Sequence, residues 1–471
     1  MKLYNTLSRS IEDVQPFVSG KIGLYACGPT VYDYAHIGHM RKYTMDDVLI
    51  RTLKHAGFAV THVMNITDVG HLVSDDDVGE DKMEKGAKKY GKTVWELAKE
   101  FEAFFWKSID AMAVNHPDVS CKATDHIAEQ IALVQTLEQK GFTYVIGDGV
   151  YFDTSKFPGY GELSRLDPEH LKAGARVEMV EGKKHPTDFA LWKFSPEKEH
   201  RQMEWESPWG KGFPGWHIEC SAMSMKYLGE HFDIHTGGID HIPIHHTNEI
   251  AQSEAATGKH PFVKYWVHHN FLRVNGEKMS KSLGNFYTVD DIVSKGFSPM
   301  ALKLMFMGAH YRSELNFTWE NIAATQTAYE KLVASLSTAH QESDRTILSD
   351  EKLQKVNEYR TKFFSLLEED LHTPEAMSVF WEVLKSNIPG GDKYELIMEF
   401  DTVLGLKLRE NVAAYESKHE HIPSGVRQLV DMRQAARDAK DFAKSDTLRD
   451  EIARFGWSVE DTASGQKVKK K

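Results

Sequence analysis

An α/β fold is predicted, with a parallel sheet split into two halves and a helical region after it. Three observations carry this expectation. Residues 22–27 (Ile22-Gly23-Leu24-Tyr25-Ala26-Cys27) form a short apolar run that ends at Gly28-Pro29-Thr30. A helical pattern then runs from Gly38 to about His55, with Tyr43, Asp47, Ile50 and Leu53 at roughly helical intervals, and the β-branched run Ala59 to Ile66 follows Gly57. Strand, glycine turn, helix, glycine and strand make the βαβ unit of a parallel sheet. The second observation is a repeat of that logic, with Phe232-Asp233-Ile234-His235 as a strand, Thr236-Gly237-Gly238 as the turn and a helix from His245 through Glu254. The third is the change to nearly pure helical pattern after about residue 318.

Between the two halves an insertion spans roughly 120–206. Asp125 to Lys140 reads as an amphipathic helix, with Ile127, Ile131, Val134 and Leu137 on one face and Gly141 as its stop. Residues 142–146 and 150–152 flank Gly147-Asp148-Gly149 as a hairpin. Pro158-Gly159 and Pro186 punctuate an irregular stretch. Further on, Thr318 is placed to cap a helix bearing Ile322, Tyr329, Leu332 and Leu336. More helices are expected around 350–369 and 374–385, the latter opened by Pro374. Lys418 to His421 and Pro423-Ser424-Gly425 read as a linker. Two charged helices at about 426–440 and 444–454 follow it, and a hairpin of Trp457–Glu460 and Gln466–Val468, turned at Ser464-Gly465, closes the pattern.

The 471 residues suffice for three or four domains, and 41 % hydrophobic with 27 % charged residues is an ordinary soluble composition. No run of 18 apolar residues occurs and no apolar signal segment opens the chain, so a cytoplasmic location without membrane association is expected. Three cysteines, at 27, 121 and 220, fit a reducing compartment better than a disulfide framework. The net charge is −12, yet residues 427–471 carry eleven Lys and Arg against eight Asp and Glu, a local +3. Arg427, Arg433, Arg437 and Lys440 can lie near one helical face that follows phosphates. Trp457 is either a base-stacking residue or the core of a small module.

Two motifs carry the chemistry. His36 and His39 share one face at the start of a helix, with Gly38 between them allowing close approach to the free N–H groups of the first turn. Imidazoles can donate to phosphate oxygens as charge moves onto a leaving pyrophosphate. Lys278-Met279-Ser280-Lys281-Ser282, bounded by Gly276 and Gly284, reads as a loop that closes over a triphosphate. A carboxylate attacking the α-phosphorus of ATP needs no general base, so His36, His39, Lys278 and Lys281 would act by positioning and charge neutralisation. Asp240, after Gly237-Gly238, can accept from a ribose hydroxyl. Magnesium is expected to accompany the ATP.

A metal set is also legible. His245 and Glu249 are four apart on a predicted helix, and Cys27 and Cys220 sit at points that converge on the crevice of an open sheet. Two thiolates, an imidazole and a carboxylate suit one zinc per chain, with His241 and His246 as rival imidazoles. Such a zinc would take a substrate thiol in preference to a hydroxyl, a distinction that packing makes poorly.

Over essentially its full length the chain resembles the cysteinyl-tRNA synthetases, a family of class I aminoacyl-tRNA synthetases. The resemblance rests on Tyr25 to Tyr32, His36 to His39, Asn65 to Asp68, Pro214 to Ser221, Phe232 to His235, His245-His246 with Asn248-Glu249, and Lys278 to Asn285. It implies Cys27, Cys220, His245 and Glu249 as zinc ligands. It also implies Trp216 as the wall of a small amino-acid pocket, with Gly28, Thr30, Thr67 and His235 beside it.

The resemblance further implies a Rossmann-like catalytic domain in two halves (1–119 and 207–265) around a connective insertion (120–206). A segment carrying the lysine loop (266–317), an all-helical bundle that binds tRNA (318–415) and a small C-terminal anticodon-binding domain (420–471) follow. The implied reaction activates L-cysteine with ATP and transfers it to tRNA(Cys), by a protein expected to be monomeric. The alternative readings are a ligase that passes activated cysteine to a small-molecule amine, and a zinc-stabilised RNA-binding protein without catalysis. The chain departs from the family pattern at Thr247, at His241-Ile242-Pro243-Ile244, and after Asp68, where Ser74 to Asp77 delays Asp81-Lys82.

Overall fold

The computed structural model describes residues 1–70, 83–84, 86–87, 91–165, 180–196, 201–341, 348–418, 423–462 and 465–470. The acidic run Ser74 to Asp77, Asp81-Lys82, most of the linker around His419 to His421, and Ser464 lie outside them.

Two compact units are present. The first takes in residues 1–329, 346–388 and 395–406, and the second residues 330–345, 389–394 and 407–471. In the first unit, β1 (Lys2–Asn5) pairs antiparallel with β2 (Ser10–Asp13). Next come β3 (Lys21–Ala26), α1 (Ile37–His55) and β4 (Ala59–Ile66), within a residue of the predicted βαβ unit. Helix α2 (Val94–Ala111) is an element the sequence reading does not place. Its signal was present, since Thr93 and Glu96 form a capping box at its start. Strand β5 (Val119–Lys122) then adds a fifth strand at the predicted boundary of the insertion.

The insertion holds α3 (Ile127–Gln139), preceded by a 3₁₀ turn at Thr124–His126, and strands β6 (Thr143–Ile146), β7 (Gly149–Phe152), β8 (Phe189–Phe194) and β9 (Gly212–Pro214). These four strands form an antiparallel sheet in sequential order, which continues past the predicted end at 206. The second half follows as α4 (Trp216–Leu228), β10 (Phe232–Gly238), α5 (His245–Thr257) and β11 (Val263–His269).

The central sheet has the order β11-β10-β3-β4-β5 with every neighbour parallel. Its inner strands bury Leu24, Tyr25, Ala26, Val63 and Ile234 almost completely. Burial extends to both faces of these strands, polar Asp233, His235 and Asn65 included, because helices cover both faces of such a sheet. The chain runs outward from β3 in one direction and from β10 in the other, so β3 and β10 bound the switch point where an open α/β sheet binds its ligand.

After the sheet come β12 (Leu272–Val274) and β13 (Glu277–Lys278), an antiparallel pair that leads into the lysine motif. Helices α6 (Val289–Ser294) and α7 (Pro299–Met307) precede β14 (Leu315–Phe317), which pairs parallel with β12. Beyond it lie α8 (Trp319–Gln341), α9 (Asp350–Glu368), α10 (Thr373–Lys385), α11 (Gly390–Leu404) and α12 (Leu408–Lys418). Thr318 accepts from the Asn321 backbone at 3.1 Å, as the capping argument expects.

In the second unit, α13 (Ser424–Asp438) and α14 (Phe442–Arg454) pack on the hairpin of β15 (Trp457–Thr462) and β16 (Gly465–Lys470). Ser424 opens a helix rather than ending a linker. Trp457 is a core residue, buried with Val426, Ile452 and Val459. The expected basic stripe is interrupted: Arg427 and Lys440 are exposed, but the two arginines between them are drawn to a carboxylate. Arg433 is fully buried, with Nη1 and Nη2 on the two carboxylate oxygens of Asp461 at 2.9 and 3.0 Å and Nη1 also on Gln466. Arg437 meets the same carboxylate at 3.0 Å, and Lys440 lies beyond the helix with φ +56°. Burying one guanidinium in so small a core requires a carboxylate close by, and Asp461 also draws in the neighbouring arginine.

Arg433→Leu should therefore lower the stability of this small unit by about 1.5–3 kcal/mol, the usual worth of hydrogen bonds to a charged group. Hydrogen exchange of Ser424–Arg454 should accelerate while the central sheet keeps its protection; equal protection in both variants would contradict the assignment.

Candidate active site and metal centre

At the C-terminal ends of β3 and β10 the first unit contains a cavity of about 630 Å³. Cys27, Gly28, Thr30, His36, Gly38, His39, Trp216, Gly238, Asp240, Lys278 and Lys281 line it, so eleven of the predicted site residues face one space. Gly28 cannot carry a side chain here, because a Cβ would lie 1.6 Å from the Asn65 carbonyl oxygen. Its N–H donates to Asn65 Oδ1 at 2.8 Å.

The two histidines form the N-terminal cap of α1. His36 Nδ1 accepts from the Gly38 and His39 backbone N–H groups at 3.1 and 3.3 Å, and His39 Nδ1 accepts from the His36 N–H at 3.2 Å. The rings stack 3.6 Å apart. Because each Nδ1 accepts, each neutral ring carries its proton on Nε2. Loss of hydration against the cavity wall lowers the pKa of His39, whose edge stays exposed, to about 4 and that of half-buried His36 further still, so both are neutral donors at pH 7. The capping box thus sets the tautomer that a phosphate oxygen requires.

The lysine loop lies over this helix start. Met279 Cε would be 2.5 Å from a Cβ at Gly38, which explains the glycine as a seat for the loop as well as for a ligand. Phe286 stands edge-on to His36 at 5.1 Å. Asn285 shapes the loop, accepting from Ser280 N at 2.7 Å and donating to the Lys278 carbonyl at 3.1 Å. Lys281 Nζ pairs with Asp33 at 2.6 Å (Oδ1) and 2.5 Å (Oδ2). Lys278 is exposed, its Nζ 5.8 Å from the Phe271 ring centroid.

One layer deeper, the ligand atoms of Cys27, Cys220, His245 and Glu249 all lie within 4.8 Å of one another, and all four residues are buried. A second group shares two of them, Cys27, His235, His246 and Glu249. In that second group the imidazoles already belong to a hydrogen-bonded chain. His246 Nδ1 meets His268 Nε2 at 2.8 Å, His268 Nδ1 meets Thr6 at 2.7 Å, and His235 Nε2 meets Glu249 at 3.1 Å. The first group supplies two soft thiols, a carboxylate and an imidazole, which suits zinc. Its charges fit a cation as well. Burial lowers the pKa of His245, but Glu249 and Cys220 overcome it and hold a proton on the ring up to about 10. His217 Nδ1 meets His245 Nδ1 at 3.0 Å, and Trp216 stacks on His245 at 4.4 Å, fixing the ring as partners of metal-ligating histidines do.

The remaining predicted residues divide. Gly238 and Asp240 line the cavity, and a Cβ at Gly238 would lie 2.2 Å from Asp240 Oδ1; Gly237 instead lies against His241 and His246, where a Cβ would meet both rings. Thr67 and His235 are buried behind the cavity wall, Thr67 accepting from Asn65 Nδ2 at 3.0 Å and bridging to Thr30. Thr247, the departure from the family pattern, donates to the Ile242 carbonyl at 2.8 Å and so ties down the altered 241–244 stretch. Sequence reasoning missed Asp33, Lys42 and Arg41. Lys42 Nζ donates to the Cys27 carbonyl at 2.7 Å and pairs with Asp46 at 2.8 Å, beside the cavity. Asp33, three residues before His36, carried a signal as an acid next to a phosphate seat; Lys42 and Arg41 on a helix read as ordinary surface charges.

Comparison with known proteins bears on this site. The pattern of the tRNA synthetases class I (C) catalytic domain matches residues 13–327, and that of the cysteinyl-tRNA ligase anticodon binding domain matches residues 419–468. Cysteine--tRNA ligase 1 of Burkholderia lata is 46 % identical over 99 % of this chain and 96 % of its own length. The cysteine--tRNA ligase of Treponema denticola is 43 % identical over 100 % of this chain and 99 % of its own. In fold, the chain is similar to methionyl-tRNA synthetase of Mycobacterium tuberculosis solved with methionyl-adenylate (TM-score 0.55, 16 % identity, 90 % and 96 % covered). It is likewise similar to the LeuRS of Agrobacterium radiobacter in a ternary complex with tRNA (TM-score 0.60, 13 % identity, 85 % and 86 % covered).

The buried neutral histidines make stability pH-dependent. His62, buried within β4, is pushed down to about 4 by burial, against about 6.5 in an unfolded chain. Below pH 6.5 the unfolded chain takes up protons that the folded one refuses, so stability should fall as pH drops towards about 4. Denaturant midpoints at pH 7.5 and 5.5 test the sign; a midpoint equal or higher at pH 5.5 would be inconsistent with it.

Proposed function

The chain belongs to the cysteinyl-tRNA synthetase family of class I tRNA synthetases, and from that premise we propose how its residues divide the work. The reaction is the cysteine--tRNA ligase reaction. L-cysteine is activated with ATP to cysteinyl-adenylate with release of pyrophosphate, and cysteine then passes to tRNA with release of AMP.

The observation that carries the assignment is the layout of one cavity. Its wall presents two Nε2–H imidazoles and two loop lysines, and behind Cys27 and Trp216 sits a thiol-rich donor set. ATP lies with its phosphates over the start of α1, where His36, His39 and the backbone N–H groups of the first turn meet them. Lys281 leaves Asp33 for the triphosphate and neutralises pyrophosphate as it departs, with Lys278 as a second clamp and magnesium alongside the ATP. Asp240 accepts from the ribose, with Gly238 giving it room. Trp216, Gly28 and Thr30 bound the amino-acid end. Thr67 and His235 support that end from behind, and Gly237 leaves space for His241 and His246. Cys27, Cys220, His245 and Glu249 would hold one zinc, and a zinc there supplies a soft Lewis acid that takes a thiolate and not a hydroxyl.

The acceptor is tRNA(Cys), held by the helices of 318–415 and by the C-terminal module of 420–471. The flanking divisions are a catalytic domain in two halves (1–119 and 207–265), the insertion (120–206, whose sheet takes its last strand, β9, from the half that follows) and the lysine-loop segment (266–317). No helix among the described residues is long and apolar enough to cross a membrane; a cytoplasmic monomer is the reading adopted.

Lys281→Ala should slow adenylate formation by roughly 2.7–4 kcal/mol, on the order of 100- to 1000-fold, with little change in the KM for cysteine. Unchanged cysteine-dependent ATP–pyrophosphate exchange would remove Lys281 from the chemistry. For the metal, purified protein should contain about one zinc per chain. Cys220→Ser should lose both the metal and the discrimination of cysteine from serine. Full zinc retention by a Cys27/Cys220 double variant would sink that ligand set.

A further inference from the structure

We infer that Arg41 is a positioning residue for activation: it hangs the lysine loop from the helix that carries His36 and His39. The inference rests on the loop's role proposed above. Arg41 follows His39 by two residues on α1 and is 2 % exposed. Its Nη1 donates to the carbonyls of Asn270 and Phe271 at 3.1 and 2.8 Å, and its Nη2 to those of His310 and Ser313 at 3.1 and 2.6 Å. Among the described residues no carboxylate pairs with it. Four backbone carbonyls take both terminal nitrogens of this buried guanidinium, while its Nε is left without a partner; such a group is costly to desolvate, so the two segments it gathers matter.

One segment, 270–271, runs directly into β12 and β13 and so to Lys278 and Lys281. The other, 310–313, runs into β14, which pairs with β12. The far end of the loop is tied to the same helix, because Ile37 N–H donates to the Tyr287 carbonyl at 2.9 Å. Both roots of residues 272–286 therefore hang from α1, and the loop can move without changing where it is rooted. These bonds set where the loop begins and ends relative to the imidazoles. Lysine at position 41 would offer one ammonium with three N–H groups, too few and too clustered for carbonyls on two segments.

The test separates activation, which uses the loop, from transfer, which follows the departure of pyrophosphate. Arg41→Lys should slow single-turnover adenylate formation by about 100-fold, as an ångström-scale misplacement does. The KM for cysteine and the rate of transfer from preformed adenylate to tRNA should stay at the parent values. Wild-type activation in Arg41→Lys, or equal losses in activation and transfer, overturns the inference. Lys281→Ala is measured in parallel. If it too activates normally, the reading of the loop has failed; if it is slow while Arg41→Lys is normal, only the inference has failed.

Hydrogen exchange on the unaltered protein decides the matter should the variant not fold. With a non-hydrolysable ATP analogue, residues 275–285 should gain protection while 270–271 and 310–313 keep theirs. Roots that change together with the loop overturn the inference.

Discussion

Everything at the site depends on the parallel pairing of β3 with β10. Ile234, His235 and Thr236 lie opposite Leu24, Tyr25 and Ala26, and Cys27 N–H continues the ladder onto the Thr236 carbonyl at 3.0 Å. These strands are over two hundred residues apart in the chain, and the insertion lies between them. Their register decides which side chains share the crevice. A shift of one residue would turn every side chain of β10 to the opposite face, taking His235 away from Glu249. The loop after β3 that leads to His36, and the turn after β10 that carries Asp240, would lose their alignment together.

That pairing also explains the division into a wet layer and a dry one. Residues at the strand ends and on the helix start reach the cavity, while those one turn further in, His245 and Glu249 of α5 and Cys220 of α4, are sealed beneath it. Phosphate chemistry needs donors that face an incoming anion. A soft-metal set needs the opposite, donors crowded together away from water, where an uncompensated pair of thiols beside a carboxylate is unstable.

Much of this was legible in the chain. The βαβ unit announced itself through apolar runs bounded by glycine, and β4 begins and ends where the pattern says. The i,i+4 spacing of His245 and Glu249 put two donors on one helix face, and the fold brought two distant cysteines to them. What was not legible depends on tertiary partners. Nothing local says that Arg433 enters a core, because the carboxylate that neutralises it lies 28 positions away on a hairpin. Nothing local says that Arg41 is buried, because its partners are backbone carbonyls, which leave no mark on the residue types of 270–271 or 310–313. Gly237 followed the rule that glycine near a strand end approaches a ligand, but here the space it leaves is filled by two imidazoles.

The capping box at α1 places two tasks on opposite edges of each ring. Nδ1 belongs to the backbone and Nε2 to whatever enters the cavity. Amide side chains copy one edge each: asparagine puts an oxygen near the Nδ1 position, and glutamine carries N–H groups out to the reach of Nε2. Architecture and anion recognition at His36 and His39 are therefore chemically separable by isosteric replacement, although natural histidine fuses them in five atoms of one ring.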